Sequence, residues 1–400
     1  MASEDLTVKI NGVSSHVDNE AAASTSLSVF YQGFHLLVDA GNGVEGSIRK
    51  GASSGKYLPD AILITNARRH HISDLPALTK ENAKIYCTPE CSQQIAQELS
   101  TWASSSSSST SSSLSSLFSP ISPGAPFEIG PFSVISVAAD NGGDQPGLPG
   151  SVVYIIKPGA RKIVAGWDFL KLLTADESIL WNPDLVVLGT ETYNDHPSTG
   201  MISVSEAYNI VRRWNAKLCY IVHYSGEKDR EDAKNQWHRG PEGPLSADEL
   251  QKAIDGHLQV SGREGKFVMK VAKEGMTWSP QAVVEEEEGP IGPKIEVDAL
   301  DQHIFSIEKM QDGKVAVTIE DSINRQTSDF INPKFAGSSL HGDGIKSMMM
   351  KGPELDLSVS GNTVRINIIK GKKALFAGDL QVSEKDSKRI IRYLEENFAS

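Results

Sequence analysis

The segment from Ala61 to Ala77 constrains the fold of this chain more than any other, because it joins an apolar run directly to polar side chains that can bind ligands. The apolar residues Ile62 to Ile64 predict a short buried strand, and the residues from Ser73 to Pro76 predict the start of a helix. Side chains between a buried strand and a helix are held rigidly beside a cleft, where α/β proteins commonly build active sites and metal sites. We therefore expect an α/β fold with a site at this strand end.

Apolar runs and turn residues alternate along the rest of the chain up to about residue 280, which indicates α/β layering. A hairpin that turns near Gly33 is predicted early in this region. The predicted strands cover 27–31, 35–41, 84–87, 132–137, 151–156, 162–166, 184–190 and 218–223, and the predicted helices cover 90–99 and 203–214.

A length of 400 residues exceeds one ordinary domain, so we expect two. The first covers residues 1–284 and contains a serine-rich tract at about 103–120. This tract cannot bury a core and is expected to be a flexible surface insertion, with a phosphorylated regulatory tract as the alternative. The acidic and proline-rich residues 285–295 are typical of a linker. Within residues 296–400, the segments 314–319, 355–359, 363–369 and 374–377 alternate like strands, and residues 383–398 predict an amphipathic helix. This region is therefore expected to be a small α+β domain of unknown role.

Charge and cysteine content narrow the functional classes. The net charge of −12, without a long basic stripe, argues against general nucleic-acid binding. No apolar run approaches the roughly 18 residues of a membrane span, and the first residues lack a signal-peptide pattern. Three cysteines cannot form a disulfide framework, which fits a reducing compartment. We expect a cytoplasmic protein without membrane contact, and assembly into a homo-oligomer stays open.

The residues after the Ile62–Ile64 strand resemble the signature of the metallo-β-lactamase fold, in which a strand ends in Thr-His-x-His-x-Asp-His and binds one or two metal ions. The matching positions here are Asn66, Arg68, His70 and His71, and only His71 keeps the usual residue. The run Leu37-Val-Asp39-Ala-Gly41 also resembles an early strand of that fold, whose aspartate supports loops near the metals. The resemblance covers roughly residues 5–280 and implies an αββα metallo-β-lactamase sandwich.

The resemblance implies that the first metal position of the family is lost. The positions of its three histidines correspond to Asn66, Arg68 and, on a later loop, Asp140 or Asn141. A permanently cationic Arg68 cannot ligate a metal ion and would repel one. Its guanidinium is instead expected to stabilise an anionic substrate and the negative charge that develops during catalysis.

The second metal position is better preserved. By the same resemblance, its ligands correspond to His70, His71, Asp168 and His223, with an imidazole replacing a carboxylate at residue 70. Such a set suits one Zn²⁺ or Fe²⁺ ion. The alternative is structural: adjacent histidines at a strand end often only cap a helix, and His223 could bind a buried carbonyl group.

Two further loops carry candidate residues. The loop after the strand at 184–190 resembles one in phosphodiesterase-like members of the fold that reads His-Pro…Gly-His, and its second histidine is Met201 here. His196 in this loop is a candidate proton donor, oriented by Glu191 or Asp195, with an ordinary turn residue as the alternative.

Four residues are predicted to bind substrate. They are Asn66, Asn141, Tyr224 and Arg239. Arg239 lies in a polar and aromatic segment that could close over the cleft and hold an anion, while Trp237 stacks on a ring. An ordinary surface loop with one buried tryptophan is the alternative.

The sequence therefore predicts a hydrolase with a single metal ion that acts on a small anionic phosphodiester, ester or lactone. The alternative is a catalytically inactive protein of the same fold that binds a nucleotide or a partner protein through the same cleft.

Overall fold

The computed structural model divides the chain into two compact units, Met1–Val211 with Ala216–Ala282, and Arg212–Asn215 with Val283–Ser400. The structure describes residues 6–15, 22–51, 58–80, 83–105, 115–142, 147–174, 176–195, 199–224, 246–260, 267–280, 294–299, 303–310, 312–320, 325–336, 338–344, 352–370 and 372–398.

The first unit contains a seven-stranded sheet with the order β15-β1-β2-β3-β4-β5-β6. Its strands are β1 (Leu6–Gly12), β2 (Ser26–Tyr31), β3 (Phe34–Val38), β4 (Ala61–Leu63), β5 (Lys84–Cys87), β6 (Phe118–Pro120) and β15 (Thr277–Trp278). The predicted β2–β3 hairpin is confirmed, and its two turn residues, Gln32 and Gly33, both have positive φ angles, as a tight hairpin turn requires. From β3 to β6 the strands run parallel.

A second sheet of eight strands follows in the same unit, with the order β11-β8-β9-β10-β12-β13-β14 and β7 paired to β8. Its strands are β7 (Pro126–Ile129), β8 (Phe132–Asp140), β9 (Val152–Pro158), β10 (Ile163–Gly166), β11 (Lys171–Leu172), β12 (Leu185–Gly189), β13 (Leu218–Val222) and β14 (Val268–Val271). Every residue of β10 and β12 is buried, as expected for parallel strands covered on both faces.

Six helices of the first unit lie within the described residues. They are α1 (Val44–Gly51), α2 (Arg69–Ile72), α3 (Leu75–Leu78), α4 (Pro89–Ser105), α5 (Val204–Arg213) and α6 (Ala247–Val260). One apolar core lies between the two sheets and contains Tyr154 and Trp167, and a second contains residues of α1 to α4 and the facing side of the first sheet, such as Ile62. On the second sheet, α6 packs against β14. The αββα sandwich predicted from the sequence is therefore confirmed.

One local prediction is confirmed and one needs correction. The helix predicted to start at Ser73 to Pro76 is α3, which begins at Leu75 directly after Asp74. A short additional helix that the sequence analysis did not predict, α2, precedes it and contains His70 and His71. The serine-rich tract is narrower than predicted: α4 continues to Ser105, and residues 118–120 form β6 against β5. Residues 106–114 and the linker at 285–293 lie outside the described residues.

The described residues of the second unit form an antiparallel sheet of eight strands in sequence order and one helix. The elements are β16 (Lys294–Asp298), β17 (Ile304–Lys309), β18 (Val315–Glu320), β19 (Arg325–Ala336), β20 (Ser339–Gly344), β21 (Glu354–Ser360), β22 (Thr363–Lys370), β23 (Lys373–Gln381) and α7 (Glu384–Phe398). Side chains alternate between buried and exposed along β21 and β22, so one face forms the core. The core includes Phe305, Phe330 and, from α7, Tyr393.

This unit contains more strands than the sequence predicts. The sequence pattern identifies β18, β21, β22, β23 and the final helix, whereas β16, β17, β19 and β20 are not predicted. In neither unit do the described residues include a helix that is long and apolar enough to cross a membrane.

The second unit offers a test of its core at Tyr393, whose ring is fully buried and whose hydroxyl oxygen accepts a hydrogen bond from the Lys309 backbone at 3.1 Å. We expect Tyr393→Ala to lower the free energy of unfolding of this unit by about 3–5 kcal/mol, because it leaves a cavity. Tyr393→Phe should cost about 1 kcal/mol, which isolates the hydrogen bond. Both stability losses can be measured by urea unfolding that is monitored through hydrogen exchange in the strands of the second unit.

The matched control is Arg392→Ala on the same helix, where a surface ion pair with Glu396 is lost. Its effect should stay within about 0.5 kcal/mol. An equal loss of stability in Arg392→Ala and Tyr393→Ala would show that the helix contributes no specific packing.

Candidate functional site

Four strand ends of the first unit deliver the side chains of the candidate site. Asp39 follows β3, the loop to Arg68 follows β4, Asp168 follows β10 and His223 follows β13. All four strands belong to the parallel parts of their sheets, and parallel strands present their carboxyl ends at one edge. Hydrogen bonds between these segments show that the edges of the two sheets meet here.

Asp39 is the buried centre of this arrangement. Its Oδ1 accepts a hydrogen bond from the Thr65 backbone at 2.8 Å, and its Oδ2 accepts one from the Thr65 hydroxyl at 2.7 Å. The same Oδ2 lies 2.5 Å from His71 Nδ1 and 2.8 Å from Trp167 Nε1. These donors come from both sheets, so a single carboxylate joins the segments after β3, β4 and β10.

The backbone is strained at two points of the site. Asp39 has a φ angle of 58° and His223 has a φ angle of 63°. Residues other than glycine rarely adopt this left-handed conformation, which costs on the order of 1–3 kcal/mol and is concentrated at functional sites. The His223 backbone is held by a hydrogen bond from its N–H to the Val13 carbonyl at 3.0 Å.

The loop after β3 also supports the turn that carries the histidines. The Ala40 N–H donates to the His71 carbonyl at 2.7 Å. Gly41 lies so close to this turn that an added Cβ atom would be 1.8 Å from the His70 carbonyl oxygen. Only glycine fits at this position, which explains the Asp-Ala-Gly sequence after the strand.

Three imidazoles converge at the centre of the site. One ligand atom from each of His70, His71 and His223 lies within 4.8 Å of those of the other two, a spacing at which the three can hold a metal ion. The ring centroids of His70 and His71 are 4.2 Å apart, and those of His70 and His223 are 5.3 Å apart. Asp168 is not part of this group of three, although its Oδ2 lies 3.3 Å from His71 Nε2.

His70 has the protonation state that a metal ligand needs. Burial, together with the neighbouring His71 and His223, holds its pKa well below the usual range, so the ring is neutral. Its Nε2 atom is buried and has no hydrogen-bond partner among the described residues. A buried nitrogen without a partner costs free energy unless something binds it, and a metal ion would satisfy it.

His71 is oriented by carboxylates on both nitrogens. Burial lowers its pKa, but Asp39 and Asp168 outweigh burial and raise the pKa to about 9. A carboxylate at Nδ1 is the arrangement that typically fixes a metal-ligating imidazole, because it directs Nε2 towards the metal. On His223, Nδ1 lies 2.9 Å from the Met201 sulfur, which occupies a similar supporting position.

Two of the three residues at altered motif positions, Arg68 and Asn66, donate hydrogen bonds to Asp168. Arg68 Nη1 donates to Asp168 Oδ1 at 2.7 Å, and Asn66 Nδ2 donates to Asp168 Oδ2 at 2.9 Å. Burial would raise the pKa of Asp168, but His71 and Arg68 hold it well below its usual range. Arg68 Nη2 also donates to the Asn141 carbonyl at 3.2 Å, so the guanidinium is already engaged by the protein.

The other predicted site residues are placed as follows. Asn141 is buried and its Oδ1 accepts a hydrogen bond from the Leu148 backbone at 2.8 Å, while Tyr224 is half-buried beside His223. Asp195 accepts a hydrogen bond from the Ser203 hydroxyl. His196, Trp237 and Arg239 lie outside the described residues.

Sequence analysis missed two contributors. Trp167 and Thr65 donate to Asp39, and both are buried. Their positions at the ends of β10 and β4 gave a signal, since each directly neighbours a predicted site residue.

Comparisons with known proteins agree with the architecture. The family model described as Beta-lactamase superfamily domain matches residues 35–224, which include every element that supplies the three imidazoles. A search of curated protein sequences found no match.

Among solved structures, the chain is similar to the metallo-beta-lactamase fold protein YhfI from Bacillus subtilis, with 18% identity, 69% of this chain and 99% of that chain covered, and a TM-score of 0.48. It is also similar to a diphosphatase from the PhnP family, with 14% identity, coverages of 69% and 98% and a TM-score of 0.48. A third similar structure is Zn²⁺-bound PqqB from Methylobacterium extorquens, with 14% identity, 68% of this chain and 100% of that chain covered, and a TM-score of 0.48. No reaction or substrate follows from similarity at this level.

The contribution of the Asp39 charge to stability can be tested with Asp39→Asn. Asparagine has nearly the same size as aspartate and also tolerates a positive φ angle, but it carries no charge. We expect this change to lower the free energy of unfolding of the first unit by about 3–5 kcal/mol, because it breaks a buried charged network. Urea unfolding curves measure the loss.

Asp60→Asn is the control, since Asp60 accepts a backbone hydrogen bond from His35 outside the site. A loss of about 0.5–1.5 kcal/mol is expected there. If the two variants were equally stable, Asp39 would not be the centre of the network.

Proposed function

We propose that the first unit, which has the metallo-β-lactamase fold, is a metal-dependent hydrolase that holds a single metal ion between His70, His71 and His223. The observation that carries the proposal is the convergence of the three imidazoles within 4.8 Å. Three imidazole nitrogens are the usual ligands of catalytic Zn²⁺ and also suit Fe²⁺. Because the pKa of His71 is raised to about 9, a metal ion that binds its Nε2 would displace a proton. The buried Nε2 of His70, which has no hydrogen-bond partner among the described residues, supports the same conclusion.

The protein supplies the orientation of this ligand set. Asp39 fixes the His71 ring through Nδ1, and Met201 contacts Nδ1 of His223. Asp168 lies beside His71 Nε2 and is the carboxylate best placed to act as a further ligand or to hold a water molecule. When bound, the metal ion would supply Lewis-acid polarisation of the substrate and make a nearby water a better nucleophile.

We assign the substrate to small anionic phosphodiesters, esters or lactones, with the phosphodiesterase-like branch of the fold favoured by the His196-Pro-Ser-Thr-Gly-Met201 sequence. Arg68 has a side chain that is 35% exposed, and described acceptors engage two of its terminal nitrogens. A guanidinium has five N–H donors, so the others can bind a substrate oxygen. In this proposal His196 donates a proton, and Asn66, Asn141, Tyr224 and Arg239 shape the substrate pocket.

A second candidate function is a catalytically inactive binding module for a nucleotide or a partner protein. The hydrogen bonds of Asn66 and Arg68 to Asp168 favour it, because they occupy a carboxylate that a metal site could otherwise use.

We also propose domain limits of 1–284 and 296–400 and a cytoplasmic location. The location is supported by the three cysteines, which are all buried and free of disulfides.

Metal analysis of protein purified without chelator tests the proposal. We expect about one equivalent of zinc or iron per chain in the wild type. His223→Ala should weaken binding by more than the 10–100-fold that loss of a supporting residue typically costs, because it removes a ligand itself.

The matched control for this experiment is His257→Ala, which removes an exposed histidine of the same unit whose ring packs against Tyr208. It should keep the metal content of the wild type. If the wild type takes up no zinc or iron, the proposed metal-dependent hydrolase is contradicted, and the binding module is the function that remains.

Hydrolysis of chromogenic phosphodiesters, esters and lactones tests the reaction itself. We expect turnover of at least one substrate class in the metal-loaded wild type, and a loss of at least about 100-fold in His70→Ala, because the barrier then loses the metal's contribution. Turnover that is equal in His70→Ala and wild type would place the activity elsewhere or in a contaminant.

A further inference from the structure

We propose that Arg68 and Asn66 act as a built-in replacement for a second metal ion: Arg68 holds Oδ1 of Asp168 and Asn66 holds Oδ2, and together they restrict the site to one ion. The inference rests on the proposed function for the ion itself, and it adds the residues that set the number of ions. Arg68 and Asn66 are therefore specificity-determining residues for the metal content.

The two oxygens of Asp168 have different neighbours. Oδ2 lies 3.3 Å from His71 Nε2, which belongs to the group of three imidazoles, and also accepts a hydrogen bond from Asn66 Nδ2 at 2.9 Å. Oδ1 accepts a hydrogen bond from Arg68 Nη1 at 2.7 Å. A carboxylate between two cation positions would normally bridge two metal ions, but here one of the positions is filled by a guanidinium.

The replacement is held in place by further contacts. Arg68 Nη2 donates to the Asn141 carbonyl at 3.2 Å, and the Arg68 N–H donates to Asn66 Oδ1 at 2.9 Å. Asn66 is 1% exposed, so its amide cannot turn away into solvent. An ion entering this position would have to break these hydrogen bonds and displace a planar cation that is never deprotonated in proteins.

Electrostatics point in the same direction. Arg68 already neutralises the buried carboxylate, which removes the attraction that a second cation would need. Its positive charge would also repel a divalent ion at close range. Beside Asp168 Oδ2 stand the three imidazoles, whose ligand atoms lie within 4.8 Å of one another, so one ion can bind there.

An ordinary buried ion pair that only stabilises the loop would have the same contacts, so the test must count ions. The variant Asn66→His/Arg68→His removes the guanidinium and offers two imidazoles beside Asp168. Equilibrium dialysis against excess Zn²⁺ with elemental analysis gives the equivalents bound per chain. We expect one equivalent in the wild type and two in the double variant.

Arg69→His is the matched control, because Arg69 is the exposed neighbour of Arg68 and receives the same substitution. It should bind one equivalent, as the wild type does. Circular dichroism shows whether each variant is folded. If the double variant is not folded, Arg68→Gln replaces it, and a second, weaker equivalent is expected there because the positive charge is gone.

The outcomes separate this inference from the proposed function. Two equivalents in the wild type, or one in both the wild type and the folded Arg68 variant, would overturn the inference while leaving the metal-dependent enzyme intact. No zinc in the wild type but uptake by the variant would support exclusion by Arg68 and overturn the proposed function. No zinc in either protein would overturn both.

Discussion

The buried carboxylate of Asp39 is the interaction on which the rest of the site depends. A fully buried charge is tolerated only when hydrogen bonds satisfy it, and Asp39 accepts them from Thr65, His71 and Trp167. Because these donors follow strands of both sheets, the carboxylate fixes the distance between the sheet edges. Its strained backbone, with a φ angle of 58°, indicates that the surrounding structure imposes this position.

Groups of opposite charge alternate in a row that starts at Asp39 and crosses the site. His71 lies between Asp39 and Asp168, and Asp168 lies between His71 and Arg68. In such a row each group is stabilised by its neighbours, so removal of one leaves a buried charge without compensation. His70 and His223 stand beside this row, and their rings complete the group of three imidazoles. The row therefore orients the ligands, while the flanking histidines supply the remaining donors.

The sequence predicts the strand ends well and the contacts between them poorly. The apolar runs before Asp39, Asp168 and His223 identify the edge at which the site lies, because strand periodicity is local. The Arg68–Asp168 ion pair joins residues 100 positions apart, and no local pattern indicates which way a long side chain turns. In the second unit, β19 was missed because a register shift between Ile331 and Lys334 interrupts the alternation that marks a strand.

Two of the three altered motif positions change the charge of the site in the same direction. In the family pattern that the segment resembles, position 68 carries a neutral histidine and position 70 carries an aspartate. Here Arg68 adds one positive charge and His70 removes one negative charge, a change of two units towards positive. That change equals the charge of one divalent ion, so at these two positions the substitutions offset the charge that a second ion would carry. The contact between Arg68 and Asp168 places the added charge where it offsets a missing ion. The pair of substitutions is therefore consistent with the single ion that we propose.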